Sequence, residues 1–229
     1  MPLPAGLSGV ALSQHVGSIF YLHGFASSSK STKAGFFAER LAAHGIALRC
    51  PDFNEPDFAT LTMTRMLDQI GTEIARVNRP VTLIGSSLGG TLAILAAARF
   101  PDRVDRLILM APAVMFAKPG HHLLPPERIA EWRSRGALPF FHYGYDGERL
   151  LDVGFYEDSL AYDAFGAAFR QPTLIFQGFR DASVDYRTVE AFAKTRNNAT
   201  LALLDDDHQL IASLPLMWVD IELFLGLTE

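Results

Sequence analysis

The chain has 229 residues, of which 49% are hydrophobic and 20% are charged, with a formal net charge of −5 at pH 7. This apolar share excludes a disordered chain, because folding can bury enough surface to offset the entropy that ordering costs. The net negative charge argues against a nucleic-acid partner, whose phosphates favour a basic surface.

Short apolar runs alternate with longer amphipathic segments along most of the chain. The runs are predicted strands, at Ser18–Leu22, Ile46–Cys50, Val81–Gly85, Arg106–Ala111, Thr173–Gln177 and Thr200–Leu204. The segments between them are predicted helices, at Ser31–His44, Thr62–Asn78, Leu88–Phe100, Tyr186–Thr195 and Gln209–Leu225. Such runs suit strands that are buried on both faces of a parallel sheet. The alternation predicts one α/β domain over residues 1–229, with a doubly wound, mostly parallel sheet of about six to seven strands.

The stretch Pro112–Pro172 interrupts this alternation. It is rich in proline, glycine and aromatic residues, and it contains two predicted helical pieces, Glu127–Arg135 and Asp152–Ala168. A connection this long between strands is usually functional. We therefore predict a helical cap inserted within the domain.

The segment from Gly85 to Gly90 contains the pattern G-x-S-x-G, centred on Ser87. It follows a predicted strand and opens the predicted helix Leu88–Phe100, which is the setting of a nucleophile elbow. In that sharp turn the serine hydroxyl stands above the sheet edge, and the glycines let neighbouring backbone approach. The alternative is a plain glycine turn with a solvent-facing serine. The strand-turn-helix context favours Ser87 as a nucleophile.

A serine nucleophile needs a base to take its proton and a third group to orient that base. On this type of sheet the acid and then the histidine follow the serine, each after a later strand. Asp181 and His208 each follow a predicted strand and occur in that order after Ser87. Asp185 and Asp207 remain alternatives for the acid, although Asp185 precedes a predicted helix and is explained as its N-cap.

An oxyanion hole requires two backbone N–H donors near the nucleophile. One is predicted at Leu88, the residue after Ser87, and the other at Phe25, in the loop after the first strand. Gly24 permits the turn of that loop, and His23 is predicted to support it by hydrogen bonding.

These motifs resemble the α/β-hydrolase superfamily and, more narrowly, the small YqiA-type esterases. The resemblance rests on Tyr21-Leu22-His23-Gly24-Phe25, Ser27-Ser28-Ser29, Lys33-Ala34, the segment Gly85–Gly90 and the stretch Asp181–Arg187. It implies the α/β-hydrolase fold and a catalytic triad at Ser87, Asp181 and His208. Two features depart from the compact relatives: the cap is longer and more aromatic, and an acidic run precedes His208.

The sequence therefore predicts a serine hydrolase that cleaves small to medium apolar carboxylic esters through an acyl-enzyme intermediate. The inserted cap is expected above the strand ends where Ser87 is exposed. Three of its aromatic residues, Phe116, Phe140 and Phe141, are accordingly predicted to line the substrate pocket. The predicted partner is a small-molecule ester.

Other functions remain open at this stage. The same triad serves thioesterases, acyltransferases, C–C hydrolases, perhydrolases and lyases, because the fold determines the nucleophile and not the substrate. A non-catalytic ligand-binding protein on this scaffold is the alternative from another class. No metal or other cofactor is predicted, since the adjacent His121 and His122 point apart and no further ligand set joins them.

The sequence also bears on location. Cys50 is the single cysteine, which excludes a disulfide within the chain and is typical of a reducing compartment. The first Lys or Arg is Lys30, so the basic segment typical of a signal peptide is not expected. The most apolar stretch, Leu214–Leu227, is broken by Asp220 and Glu222 and is shorter than a membrane span. We expect a cytoplasmic protein with no membrane span.

Overall fold

The computed structural model describes residues 17–228, and its centre is a six-stranded parallel sheet. Residues 1–16 and 229 of the predicted domain lie outside the described residues. The strands in chain order are β1 (Ile19–Leu22), β2 (Leu48–Arg49), β3 (Val81–Ser86), β4 (Val104–Met110), β5 (Ala137–His142), β6 (Gly147–Asp152), β7 (Thr173–Gly178) and β8 (Ala199–Leu204). The large sheet has the order β2-β1-β3-β4-β7-β8, and each neighbouring pair is parallel. This confirms the predicted doubly wound sheet.

Seven helices are described, and five of them cover the two faces of the sheet. They are α1 (Thr32–Ala42), α2 (Met63–Ala75), α3 (Leu88–Arg99), α4 (Pro126–Arg135), α5 (Gly154–Ser159), α6 (Tyr186–Lys194) and α7 (Leu214–Leu225). Neighbouring residues of β3 point to opposite faces of the sheet. Leu83 lies in the core that β3 forms with α2, α3 and α6. Ile84 lies in the core on the other face, with α1 and α7. Because both faces are covered, the central strands β1, β3, β4 and β7 are largely apolar.

The last helix begins later than the sequence predicts. The prediction placed it at Gln209–Leu225, whereas α7 begins at Leu214. Leu210 has a φ of +55°, which an α-helix cannot contain, so the segment before α7 is a loop. This loop follows His208 and gives that residue a non-helical setting.

The insertion between β4 and β7 contains a β-hairpin that was not predicted. Strands β5 and β6 pair antiparallel, with helix α4 before them and α5 after them. The helix predicted over Asp152–Ala168 is wrong in extent, because Asp152 ends β6 and only Gly154–Ser159 is helical. Strand β6 reads Gly-Glu-Arg-Leu-Leu-Asp and contains no β-branched or aromatic residue, so its composition does not favour a strand.

The described helices are short in comparison with the thickness of a lipid bilayer. Within residues 17–228, none is both long enough and apolar enough to span one. The longest, α2, has 13 residues and is amphipathic, with its apolar side buried against the sheet.

Candidate active site

Ser87 lies at the sharp turn between β3 and α3. Its backbone has φ +53° and ψ −116°, a conformation that residues other than glycine seldom adopt. Its N–H donates to the Met110 carbonyl at 2.9 Å, and its carbonyl accepts from the Gly90 N–H at 2.9 Å, so the turn is held from both sides. The predicted nucleophile is therefore held in a strained backbone conformation.

The structure brings Ser87, His208 and Asp181 into one hydrogen-bonded chain. His208 Nε2 is 3.0 Å from Ser87 Oγ, and His208 Nδ1 is 2.8 Å from Asp181 Oδ2. A carboxylate only accepts hydrogen bonds, so Nδ1 carries the proton and Nε2 is left as an acceptor for the serine hydroxyl. The three residues follow β3, β8 and β7, whose carboxyl ends meet at one edge of the sheet.

Asp181 is held on both of its carboxylate oxygens. Besides His208, Oδ2 accepts from the Gln177 side-chain amide at 2.9 Å, and Oδ1 accepts from the Ser183 and Val184 N–H groups at 2.8 Å. Burial alone would raise the pKa of Asp181, but its hydrogen bonds, chiefly from His208 and the Val184 N–H, hold the pKa below its ordinary value. The carboxylate therefore stays charged at neutral pH.

The other candidate acids occupy different positions. Asp185 is the N-cap of α6 and accepts from the Arg187 N–H at 2.9 Å. Asp207 accepts from the Gln209 N–H at 2.8 Å within the loop that carries His208. Of the three, Asp181 is the one in contact with the His208 ring.

The acidic run before His208 shapes the histidine loop. Asp206 is only 6% exposed, and its side chain accepts from the Asp207 N–H at 2.8 Å and the Ser213 N–H at 2.9 Å. Asp205 forms an ion pair with Arg180 at 3.1 Å. Asp206 is therefore a buried hydrogen-bond acceptor within the loop, unlike its exposed neighbour Asp205.

The two residues predicted to supply the oxyanion hole, Phe25 and Leu88, lie near Ser87. Leu88 is the first residue of α3, where an N–H has no acceptor within its own helix. Phe25 follows Gly24, whose Cα packs so closely that a Cβ there would be 3.4 Å from the Ser87 Cβ. Ser87, Phe25 and Leu88 all line the same cavity.

His23 ties this loop to its neighbour. Its ring is 3% exposed, with Nδ1 2.9 Å from the Gly24 carbonyl and Nε2 3.0 Å from the Phe53 backbone N. Because the Phe53 N–H must donate, Nε2 accepts and Nδ1–H donates to Gly24. The ring thus bridges two backbone segments next to the predicted oxyanion donors.

The tip of the cap hairpin is attached to the same loop. The Tyr143 N–H donates to the Ala26 carbonyl at 2.8 Å. Buried His142 lies 2.9 Å from the Asn54 side-chain oxygen, and the Asn54 amide in turn donates to the Ser27 carbonyl at 2.8 Å. These contacts hold β5 over the edge of the sheet where Ser87 lies.

A cavity of about 1300 Å³ opens above Ser87 and His208. One part of its lining is apolar and includes Met115, Phe116, Leu123 and Phe141. Another part is polar and comes from α1 and the loop before it, with Ser27, Ser28, Lys30, Ser31, Thr32 and Lys33. The cavity therefore combines an apolar and a polar surface around one serine.

The three predicted pocket aromatics take different positions. Phe116 and Phe141 line the cavity. Phe140 instead packs between Phe25, at a ring-centroid distance of 5.5 Å, and Trp132, at 5.0 Å. Side chains alternate along a strand, so the adjacent residues Phe140 and Phe141 of β5 face in opposite directions. The position of Phe140 therefore does not fit its predicted role in the pocket.

Two residues near the site were missed by sequence reasoning. Gln177 is fully buried at the end of β7 and donates to Asp181. Lys33 is 7% exposed on α1, and its Nζ donates to the Gln209 carbonyl at 2.8 Å. A polar residue that ends an apolar strand is a signal that could have indicated Gln177. Lys33 belongs to one of the motifs of the family resemblance, but its contact with Gln209 carries no local signal, because the two residues are 176 positions apart.

Comparisons with known proteins give one family match. A family model described as "Uncharacterised protein family (UPF0227)" matches residues 18–223. Among curated proteins, no relative matches the sequence.

Solved structures share the fold at low sequence identity. Alpha/beta hydrolase domain-containing protein 10 from mouse is 22% identical, with a TM-score of 0.76 over 92% of this chain and 90% of that chain. Est1E from Butyrivibrio proteoclasticus with ferulic acid bound is 24% identical, with a TM-score of 0.77 over 93% and 89%. Paleococcus ferrophilus monoacylglycerol lipase is 15% identical, with a TM-score of 0.73 over 92% and 96%. These similarities confirm the predicted α/β-hydrolase fold.

Proposed function

The chain belongs to the UPF0227 family, the family of the YqiA-type proteins that its motifs resemble, and we propose that it is a serine hydrolase of carboxylic esters. The observation that carries this proposal is the hydrogen-bonded chain from Asp181 through His208 to Ser87. It ends at a strained serine, and Ser87 and His208 line a cavity large enough for a substrate. The proposed site is therefore a catalytic triad.

The reaction follows from the position of each group. Ser87 Oγ attacks the acyl carbon while His208 Nε2 takes its proton, and the carbonyl oxygen becomes an oxyanion. The N–H groups of Phe25 and Leu88 are the proposed oxyanion donors. His208 then returns the proton to the leaving alcohol, which leaves an acyl-enzyme on Ser87. Water, activated by the same imidazole, releases the acid and restores the serine.

Asp181 has a separate role in this scheme. Its charge stabilises the imidazolium that forms on His208, and its hydrogen bond keeps the proton on Nδ1. The contacts from Gln177 and the Val184 N–H support both effects, because they hold the carboxylate in place and keep it ionised. Gln177 is thus a positioning residue.

The proposed substrates are small to medium esters with an apolar acyl group. Support comes from the apolar part of the cavity lining, which includes Met115, Phe116 and Leu123. Two structural relatives handle compatible molecules: Est1E binds ferulic acid, and another relative is a monoacylglycerol lipase. We also propose that Pro112–Pro172 acts as the cap that encloses the acyl group.

Labelling with a fluorophosphonate tests the proposal directly. A reactive serine should gain one phosphonyl group, which peptide mass spectrometry should locate on Ser87. The labelled protein should lose its activity toward 4-nitrophenyl butyrate. A protein that binds esters without hydrolysing or reacting with them would be a ligand-binding protein. Faster turnover of a butyryl thioester than of the matched oxygen ester would assign the same triad to thioesters.

A further inference from the structure

Charged side chains are unevenly distributed in the cavity lining. Among its described residues, the Lys, Arg, Asp and Glu side chains are Lys30, Lys33 and Asp185. Asp185 caps α6 and also pairs with Arg187 at 3.6 Å, so its charge is balanced locally. The whole chain has four lysines and a net charge of −5, yet two of those lysines line this cavity. The charged side chains that line this cavity are therefore mainly cationic, although the protein is acidic.

Lys33 is an unusual part of that surface because its charge is buried. The side chain is 7% exposed, and Nζ contacts Gln209 twice, at 2.8 Å to the backbone carbonyl and 3.4 Å to the side-chain oxygen. An ammonium group has three N–H donors, so Gln209 accounts for two of them. Burial lowers the pKa of Lys33 to about 8, against the attraction of Asp207, Asp206 and Asp181. Lys33 thus remains mainly cationic at pH 7, with one N–H beyond those that Gln209 accepts.

A purely structural role would explain only part of this arrangement. Lys33 could serve to hold the loop of His208 through Gln209, but a neutral amide would make the same contact. The carboxylates of Asp206, Asp207 and Asp181 favour the charge of Lys33 without fully offsetting the cost of its burial. Lys30 is exposed and lines the same cavity, and Ser31 lies between the two lysines in sequence. Ammonium and hydroxyl donors grouped in this way suit a carboxylate or a phosphate.

Building on the proposed ester hydrolysis, we propose that Lys30, Ser31 and Lys33 form a lysine wall that binds a carboxylate or phosphate group of the substrate. The apolar wall around Phe116 then takes the acyl group, so the substrate has one apolar and one anionic part. Lys33 reaches Gln209, the residue next to His208, which sets the anionic group close to the ester that Ser87 attacks.

Matched pairs of esters test this proposal. Butyryl esters of 4-hydroxybenzoate and of 4-hydroxyphenyl phosphate place a carboxylate or a phosphate on the alcohol part, and the butyryl ester of 4-hydroxybenzamide is their neutral partner. The monoester of adipic acid with 4-nitrophenol places a carboxylate on the acyl part, and its methyl ester is the neutral partner. At pH 7, kcat/KM of at least one anionic ester should exceed that of its partner by about ten-fold or more. Comparison of the pairs identifies which anion is preferred.

Three lysine variants assign that preference. In K33M the ratio of anionic to neutral kcat/KM should fall close to one, and K30Q should lower it by a smaller factor. Any general loss from a displaced His208 loop affects both esters and cancels in the ratio. K194Q removes an exposed charge of α6 outside the cavity lining and should leave the ratio unchanged. No anionic preference in any pair, or a preference that survives in K33M, overturns the proposal.

A binding measurement tests the lysine wall even if the chain does not hydrolyse these esters. If the wild-type chain turns over none of these esters, calorimetric titration of S87A with each pair still reports binding. Tighter binding of an anionic ester to S87A than to S87A/K33M would support the lysine wall without hydrolysis. Equal binding to both proteins would overturn it.

Discussion

Gly89 of α3 packs directly against the carbonyl of Leu22, the last residue of β1. A Cβ on Gly89 would lie 2.0 Å from the Leu22 oxygen and 2.8 Å from the His23 oxygen. This close approach brings the loop after β1, with Phe25, next to the turn at Ser87. The second glycine of the G-x-S-x-G pattern is therefore required by the distance between the elbow and the proposed oxyanion loop.

Replacing Gly89 by alanine should damage both stability and activity. The new methyl group meets backbone that must move, and overpacking of this kind costs about 1–3 kcal/mol or more. Thermal unfolding should show a lower midpoint, and the shift of the β1 loop should reduce ester turnover. G35A is the matched control, because Gly35 lies in α1 and a Cβ there meets nothing within 4 Å. Alanine at that site should stabilise the protein by up to about 1 kcal/mol. Equal destabilisation in both variants would contradict this account of Gly89.

Removal of the Ser87 hydroxyl should abolish ester hydrolysis while the fold is retained. The expected loss in kcat is at least about four orders of magnitude, as for other serine nucleophiles. Ser86 is the control, since it is the preceding residue and is buried at 5% exposure at the end of β3. S87A should also lose fluorophosphonate labelling, and S86A should keep it. An active, labelled S87A would place the nucleophile elsewhere.

Substitutions at Asp181 and Asp185 distinguish the role of a catalytic acid from that of a helix cap. D181N should lower kcat by about 10³- to 10⁴-fold, because an amide beside Nδ1 favours the wrong tautomer of His208. D185N keeps an oxygen that can accept from the Arg187 N–H, and an N-cap change costs at most about 1–2 kcal/mol of stability. We therefore expect D185N to retain most activity in steady-state assays. A larger catalytic loss in D185N than in D181N would reverse the assignment of the acid.

The sequence predicts the position of the proposed triad because parallel strands end at one edge of the sheet. Ser87, Asp181 and His208 each follow a strand, and strand ends were readable from apolar runs bounded by turn residues. The contact between Lys33 and Gln209 could not be predicted in this way. It depends on how α1 packs beside the histidine loop, which local patterns do not encode.

The cap was predicted less well for a related reason. Its hairpin is stabilised by tertiary contacts, including a hydrogen bond from Trp132 Nε1 to the Leu151 carbonyl at 2.8 Å. Strand β6 has weak strand propensity, so its pairing with β5 decides its structure. The opposite orientations of Phe140 and Phe141 can be inferred only once β5 is known to be a strand.

Protonation of His142 should weaken the attachment of the cap hairpin. The ring is fully buried, Nε2–H donates to Asn54, and Nδ1 has no hydrogen-bond partner within the described residues. Burial lowers the pKa of His142 below its ordinary value of 6.5, with His23 and Arg149 acting in the same direction and Asp52 opposing them. As the pH falls through 6.5, the unfolded chain therefore binds a proton before the folded chain does, and stability is lost.

Denaturant unfolding at about pH 7.5 and about pH 5.5 measures this effect. The wild-type protein should lose more free energy of unfolding over this interval than H142Q, whose amide can still donate to Asn54. Comparing the two proteins removes the contribution of the other titrating groups. Identical pH dependence in both would mean that His142 does not couple protonation to stability.

The acyl preference should reflect the apolar wall of the cavity. Each fully buried methylene contributes about 0.8 kcal/mol, so kcat/KM should rise by up to about ten-fold from acetyl to butyryl esters. Longer chains should exceed the enclosed apolar wall of Met115, Phe116 and Leu123, so that added methylenes gain no further apolar contact. Dodecanoyl esters should therefore be poorer substrates than butyryl esters.

F116A should reduce the advantage of butyryl over acetyl, whereas F179A, at an exposed phenylalanine outside the cavity lining, should preserve it. A flat profile across chain lengths, or a maximum at dodecanoyl, would show that the cap does not enclose the acyl group.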